Sequence, residues 1–220
     1  MSNKLDTKSK ILLKSVQLFN EKGTNNVTTN HISKELGISP GNLYYHFRNK
    51  EEIIREIYEE MILEFSKIWK FIETGKGLKN IWTGIVSLLV LFHKYRFFMN
   101  DIVGLLKNDE ILKTRYLVIK EIRLEQLRDL FLLMRKEKLI MLEINNEEIR
   151  ELSDILWFTG DFWLMRNEFK KEKVHNLTKE DLKSYLRTNY IICKSYFTKE
   201  GFKMLSIDET IKKIEEGKFL

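Results

Sequence analysis

The stretch Thr28 to Lys50, TTNHISKELGISPGNLYYHFRNK, holds two short helical segments separated by a glycine. Thr28 can cap the first of them, which ends near Leu36 because Gly37 supplies the permissive backbone of a tight turn. Ser39 is the next N-cap, and Pro40 falls at the first helical position, where its missing N–H leaves no bond unmade. The second segment then runs to about Phe47. Ile32 and Leu36 can pack against Leu43 and Phe47, which leaves Ser39, Pro40, Gly41, Asn42, Tyr45 and His46 facing outward. Two short helices joined by such a turn form a helix-turn-helix, whose second helix enters the DNA major groove. Small residues at its start allow close approach to base edges, while Asn42, Tyr45 and His46 offer them polar or planar groups.

Before this stretch, Ile11, Leu12, Ser15, Leu18 and Phe19 recur at helical spacing, so a helix is expected from about Thr7 to Lys22, with Gly23 terminating it. On the other side, Asn49 and Glu52 have the spacing of a capping box. The helix they open carries one apolar stripe, Ile53, Ile57, Met61, Phe65, Ile68 and Ile72, until Gly75 and Gly77 interrupt it. Further helical segments are expected at 78–97, 100–107, 109–138, 146–171 and 178–198, with a last small helix from Ser206 and Glu209. No strand alternation is visible. A single proline in 220 residues, in a chain rich in helix-tolerant Leu, Ile, Lys and Glu, supports an all-α fold. The expected domains are 1–50, the helix-turn-helix, and 51–220, a helical C-terminal domain.

Charge is distributed unevenly. Residues 1–50 hold eight basic and three acidic side chains, an excess of +5, whereas the remaining 170 residues hold 30 basic and 29 acidic. An excess confined to the presumed reading head points to a polyanion partner. The charged N-terminus, MSNKLDTKSK, has no uninterrupted apolar stretch behind it, so no secretory leader is expected. The apolar run Ile81 to Phe92 is twelve residues long, short of the ~18 that would cross a bilayer. No membrane association is expected. The lone Cys193 excludes an internal disulfide and suits a reducing, cytoplasmic setting.

Enzyme signatures are absent: Gly75-Lys76-Gly77 lacks P-loop spacing, and neither G-x-S-x-G nor H-E-x-x-H occurs. His31, His46, His93 and His175 are scattered, so no metal site and no cofactor are expected. The Lys170, Lys171 and Lys173 run reads as a solvated helix end.

The run VTTNHISKELGISPGNLYYHFRNKEEI, with ILLKSVQLFNEKG before it, resembles the DNA-binding domain of the tetracycline-repressor-like (TetR) family of bacterial regulators, over about Ile11 to Ile57. The resemblance implies that Thr29, Tyr44 and Lys50 contact phosphates and that Pro40, Gly41, Asn42, Tyr45 and His46 face the groove. Thr28 and Ser39 complete the expected DNA-binding set. It further implies a repressor that binds palindromic operator DNA as a homodimer and is released by a small-molecule effector. Residues 75–220 match that family in architecture and length, and FHKYRFFMNDIVGLLKNDEILKTRY resembles one branch of its C-terminal domains.

Two expectations concern that half. The dimer is expected to form through the helices at 146–171 and 178–198, along Leu152, Ile155, Thr159 and Phe162, then Leu182, Tyr185, Asn189 and Ile192. The effector is expected among Trp82, His93, Phe97, Phe98, Trp157 and Met165, since aromatic rings with polar handles suit an apolar cavity. Balanced charge there favours a small, largely hydrophobic ligand. Two other readings stay open, an effector-independent architectural or division-associated DNA-binding protein and a head that docks on protein.

Overall fold

A computed structural model describes residues 6–73, 77–168 and 176–219. Gly75, Lys170, Lys171, Lys173 and His175 lie outside the described residues. Among those described, the structure is helical apart from an isolated bridge between Ile140 and Phe197. The helices are α1 (Thr7–Lys22), α2 (Thr29–Leu36), α3 (Pro40–His46), α4 (Lys50–Glu73), α5 (Ile81–Lys94), α6 (Arg96–Asn108), α7 (Glu110–Lys136), α8 (Asn146–Glu168), α9 (Lys179–Lys194), α10 (Lys199–Met204) and α11 (Asp208–Glu215). No described helix is long and apolar enough to cross a membrane.

The chain divides into two compact units, Met1–Glu64 with Lys94–Lys113, and Phe65–His93 with Thr114–Leu220. The unit that carries the helix-turn-helix thus extends past residue 50 and includes α6, because α6 shares a core with α1 and α4. Phe97 meets Phe19 with ring centroids 5.2 Å apart, and Phe98 stacks on Tyr58 at 4.9 Å. Polar clasps reinforce this packing. Asn20 donates to the Lys94 carbonyl and accepts the Phe97 N–H, Thr24 donates twice to Asp101, and Arg55 pairs with Asp109 at 2.7 Å.

α6 begins at Arg96, not within the expected 100–107 segment, and α5 stops at Lys94. Tyr95 caps α6 without a side-chain bond. Asn20, far away in sequence, supplies the missing acceptor.

In the second unit the last turns of α4 pack with α5 and with α7 to α11 around Trp69, Ile72, Leu89, Leu186 and Phe197, all buried. Gly84 lets α5 lie directly on α4: a Cβ there would fall 2.4 Å from Ile72 Cγ1. α10 was not expected from sequence. Its N-cap Thr198 accepts the Gly201 N–H, and the Thr198 N–H bonds the Leu139 carbonyl at 3.1 Å.

Candidate nucleic-acid interface and an internal cavity

The helix-turn-helix is set by its caps. Thr28 Oγ1 accepts the His31 N–H while His31 Nδ1 accepts the Thr28 N–H, a reciprocal box with histidine in the usual Glu position. At the far end of α2, Gly37 adopts a left-handed conformation (φ 65°), and the N–H groups of Gly37 and Ile38 bond the carbonyls of Lys34 and Ser33. These two bonds satisfy carbonyls that the helix end would otherwise orphan. Ser39 Oγ accepts the Asn42 N–H and Pro40 opens α3. α4 then starts with Asn49 accepting the Glu52 N–H, while the Glu52 carboxylate reaches the Arg48 N–H.

These caps fix which face of α3 is buried. Ile32, Leu43 and Phe47 are inside, whereas Ser39, Pro40, Gly41, Asn42 and Tyr44 are exposed and His46 is half-buried. Tyr45 is 85% exposed and meets His46 edge-on at 5.2 Å. Thr29, from α2, and Tyr44, from α3, are joined at 3.0 Å through their hydroxyls. One constraint was not foreseen: half-buried Lys50 donates to the Thr24 carbonyl at 2.7 Å, so its ammonium is held in place.

The second unit contains a mostly apolar cavity of about 80 Å³. Phe65, Trp69, Phe92, Trp157 and Tyr185 line it, together with Arg123, Asp161 and Asn189. Burial pushes the Asp161 carboxyl up to about 6, partly offset by Lys120 and the Trp157 N–H. Burial likewise raises Tyr116, with the Asp161 charge adding to the effect. The Trp157 N–H is buried and close enough to polarise both neighbours, yet it reaches hydrogen-bonding geometry with neither. No group that could hold a metal ion occurs among the described residues.

Of the residues expected to line an effector site, only Trp157 borders this cavity. Phe97 and Phe98 are core of the other unit, so their place in the pocket is withdrawn. Trp82 is spent on structure, its N–H donating to the Leu205 carbonyl at 2.8 Å, and it lines a separate void of about 30 Å³. His93 and Met165 are half-buried and border neither space. Asp161 is the acidic residue of the cavity lining; its position one turn after Trp157 was the available signal.

The expected dimer seam also needs correction. Leu152, Leu182, Tyr185 and Asn189 are buried inside the single chain, where they cannot meet a mate. Ile155 and Phe162 are exposed, Thr159 and Ile192 half-buried. The exposed apolar residues on these two helices are Ile155, Phe158, Phe162 and Ile191, of which Phe158 and Ile191 were not foreseen.

Comparison with known proteins agrees with this architecture. Residues 11–57 match the family model described as bacterial regulatory proteins, tetR family, and residues 57–205 the TetR model described as bacterial transcriptional repressor. The biofilm operon icaADBC negative regulator IcaR of Staphylococcus epidermidis is 46% identical over 52 residues, 24% of this chain and 28% of that protein. The regulator UidR of Escherichia coli is 28% identical over 132 residues, 56% of this chain and 65% of UidR. The match therefore spans less than two thirds of either relative. A crystal structure of a TetR-family regulator from Marinobacter aquaeolei superposes with a TM-score of 0.79 at 29% identity, covering 94% of this chain and 99% of that one.

Proposed function

We propose, on the premise that this chain belongs to the TetR family of bacterial transcriptional regulators, that it is a repressor that binds palindromic operator DNA as a homodimer and leaves it when a small effector occupies the cavity of the second unit. The observation that carries the DNA reading is the polarity of α3, with Leu43 at 0% exposure on one face and Tyr45 at 85% on the other. A large ring held in solvent on a short, firmly capped helix has no role in the fold. It is placed to meet an external surface.

In this reading Pro40, Gly41, Asn42, Tyr45 and His46 approach base edges, and Thr28, Thr29, Ser39, Tyr44 and Lys50 hold the phosphates. The Thr29–Tyr44 hydroxyl pair uses one hydroxyl hydrogen internally and holds the other in a fixed place, free to meet a phosphate oxygen. Two such heads are brought to successive half-sites by a dimer sealed along Ile155, Phe158, Phe162 and Ile191. An effector of mostly apolar bulk can lower DNA affinity only by binding more tightly to a dimer whose heads mismatch the operator, and the difference in affinity sets how far the equilibrium moves.

The test is fluorescence anisotropy of operator DNA recovered by genomic pull-down, with and without the effector. A salt-sensitive, saturable complex of one dimer per palindrome, dissociated by a cavity ligand, supports the proposal. Binding at scattered sequences without any response to ligand supports an architectural protein instead.

A further inference from the structure

We propose that the cavity beside Asp161 takes a small organic ammonium ion that also carries a hydroxyl or carbonyl oxygen, with the Asp161 carboxylate as its counter-ion and the Trp157 N–H as donor to its oxygen. The inference rests on the effector reading above and adds the chemical class of the ligand.

Three features of the cavity lead there. The first is a carboxylate set in a wall of Phe65, Trp69 and Phe92, where desolvation costs free energy unless an opposite charge offsets it. Asp161 makes no contact-distance ion pair with any described residue, Lys120 acting on it only at longer range. A cation arriving from solution supplies the missing charge, and aromatic faces around it add attraction of their own. The second is the Trp157 N–H, a buried donor with no acceptor at bonding geometry. An ammonium group gives it nothing, so the ligand needs an oxygen as well. The third is size: about 80 Å³ is well below the roughly 300–1,000 Å³ of sites for drug-sized ligands, so the ion must be small.

Arg123 is the feature that argues for an anion. Its guanidinium is already committed to Ser66 Oγ and Gln126 Oε1, both at 2.7 Å, and lies 4.4 Å over the Phe65 ring. These neutral acceptors fix the side chain but leave its charge in the lining, so an anion is the competing occupant and supplies the control.

The experiment is calorimetric titration of the full-length protein near neutral pH with protonated 2-dimethylaminoethanol, its neutral carbon isostere 3-methylbutan-1-ol, and 3-methylbutanoate. The amine should bind about ten- to a hundredfold more tightly than the alcohol, the range expected for a charge-assisted contact. Asp161→Asn should erase that preference. Trp157→Phe should keep the preference for the amine but lose the advantage of 2-dimethylaminoethanol over dimethylpropylamine, which lacks the oxygen. Equal affinity for amine and alcohol, tighter binding of 3-methylbutanoate, an unaffected Asp161→Asn variant, or no amine binding at millimolar concentration would each overturn the inference. Anisotropy of operator DNA separates the two levels: amine binding without DNA release supports the ligand class and refutes the effector role. DNA release by a neutral compound through the cavity, with no amine binding, does the reverse.

Discussion

Thr24 gives both of its donors to a single oxygen of Asp101, the backbone N–H at 3.1 Å and the hydroxyl at 2.6 Å, while its carbonyl accepts from Lys50. One buried threonine thus ties α6 to the start of α4 within the DNA-binding unit. Asp101→Ala leaves two donors without an acceptor, and buried unsatisfied donors cost about 1–3 kcal/mol. The variant should unfold earlier in urea by that amount. It should also bind DNA more weakly, since the carbonyl that positions Lys50 becomes mobile. Unchanged stability would show that the clasp is not formed in solution.

Tyr45 and Lys50 should separate when stability and DNA binding are measured together. Tyr45 is exposed and contributes little to the core, so Tyr45→Ala should change stability by no more than about 0.5 kcal/mol while altering the preferred bases. Lys50→Ala should weaken all sequences alike and reduce the salt slope by roughly one. The reverse pattern would mean that the two faces of the head are assigned the wrong way round.

The Asp161 carboxyl predicts an unusual pH dependence. Its folded pKa of about 6 lies above the ordinary 3.8, so the folded state holds this proton more tightly than the unfolded chain does. The native state is therefore penalised increasingly as pH rises from about 4 through about 6, and fully above that. Burial also raises Tyr116 and Tyr185, so neither hydroxyl ionises in this window. Asp161→Asn removes the penalty and should stabilise the protein by roughly 2–3 kcal/mol at neutral pH, with the gain fading below about pH 4. Thermal melts across that range decide it; a variant less stable than wild type at neutral pH would contradict the buried-charge account.

Gly84 and Ile72 form a steric pair that a double-mutant cycle can isolate. An added Cβ would lie 2.4 Å from Ile72 Cγ1 and 2.6 Å from its Cδ1, so Gly84→Ala should cost about 1–3 kcal/mol through overpacking. In an Ile72→Ala background the clash is gone, and the same change should be neutral or stabilising because alanine favours helix. Additive effects would show that the two helices are not in contact there.

The dimer seam is testable by sedimentation. Phe158 is 61% exposed and its ring lies 4.5 Å from that of Phe162, so Phe158→Glu should yield folded monomers. Leu182 is fully buried, and Leu182→Glu should unfold the second unit rather than dissociate it. A dimeric Phe158→Glu protein would place the interface elsewhere.

Local chemistry made much of the head legible. Thr28, Gly37 and Ser39 act through bonds that span three to five residues, and the structure forms each of them, with Pro40 at the first helical position of α3. The α5–α6 junction was illegible for the opposite reason: it contains neither Gly nor Pro, and its cap comes from Asn20 in α1. α10 is six residues long with a glycine inside, too short to show a period. The misassigned seam on α9 has a different origin. Helical periodicity locates an apolar stripe but does not say whether the chain itself or a second copy covers it, and here Leu182, Tyr185 and Asn189 face the chain's own core. The cavity draws its side chains from five helices, α4, α5, α7, α8 and α9, which lie too far apart in sequence to be read as one site.

The most direct test of the account is sequencing of the genomic DNA fragments that the purified protein retains. A short enriched palindrome is expected, with half-sites about one helical turn apart, roughly 34 Å, and base preferences that shift when Asn42 or Tyr45 is replaced. Fragments with no shared motif, or a motif that survives both replacements unchanged, would contradict the claim that the exposed face of α3 reads DNA.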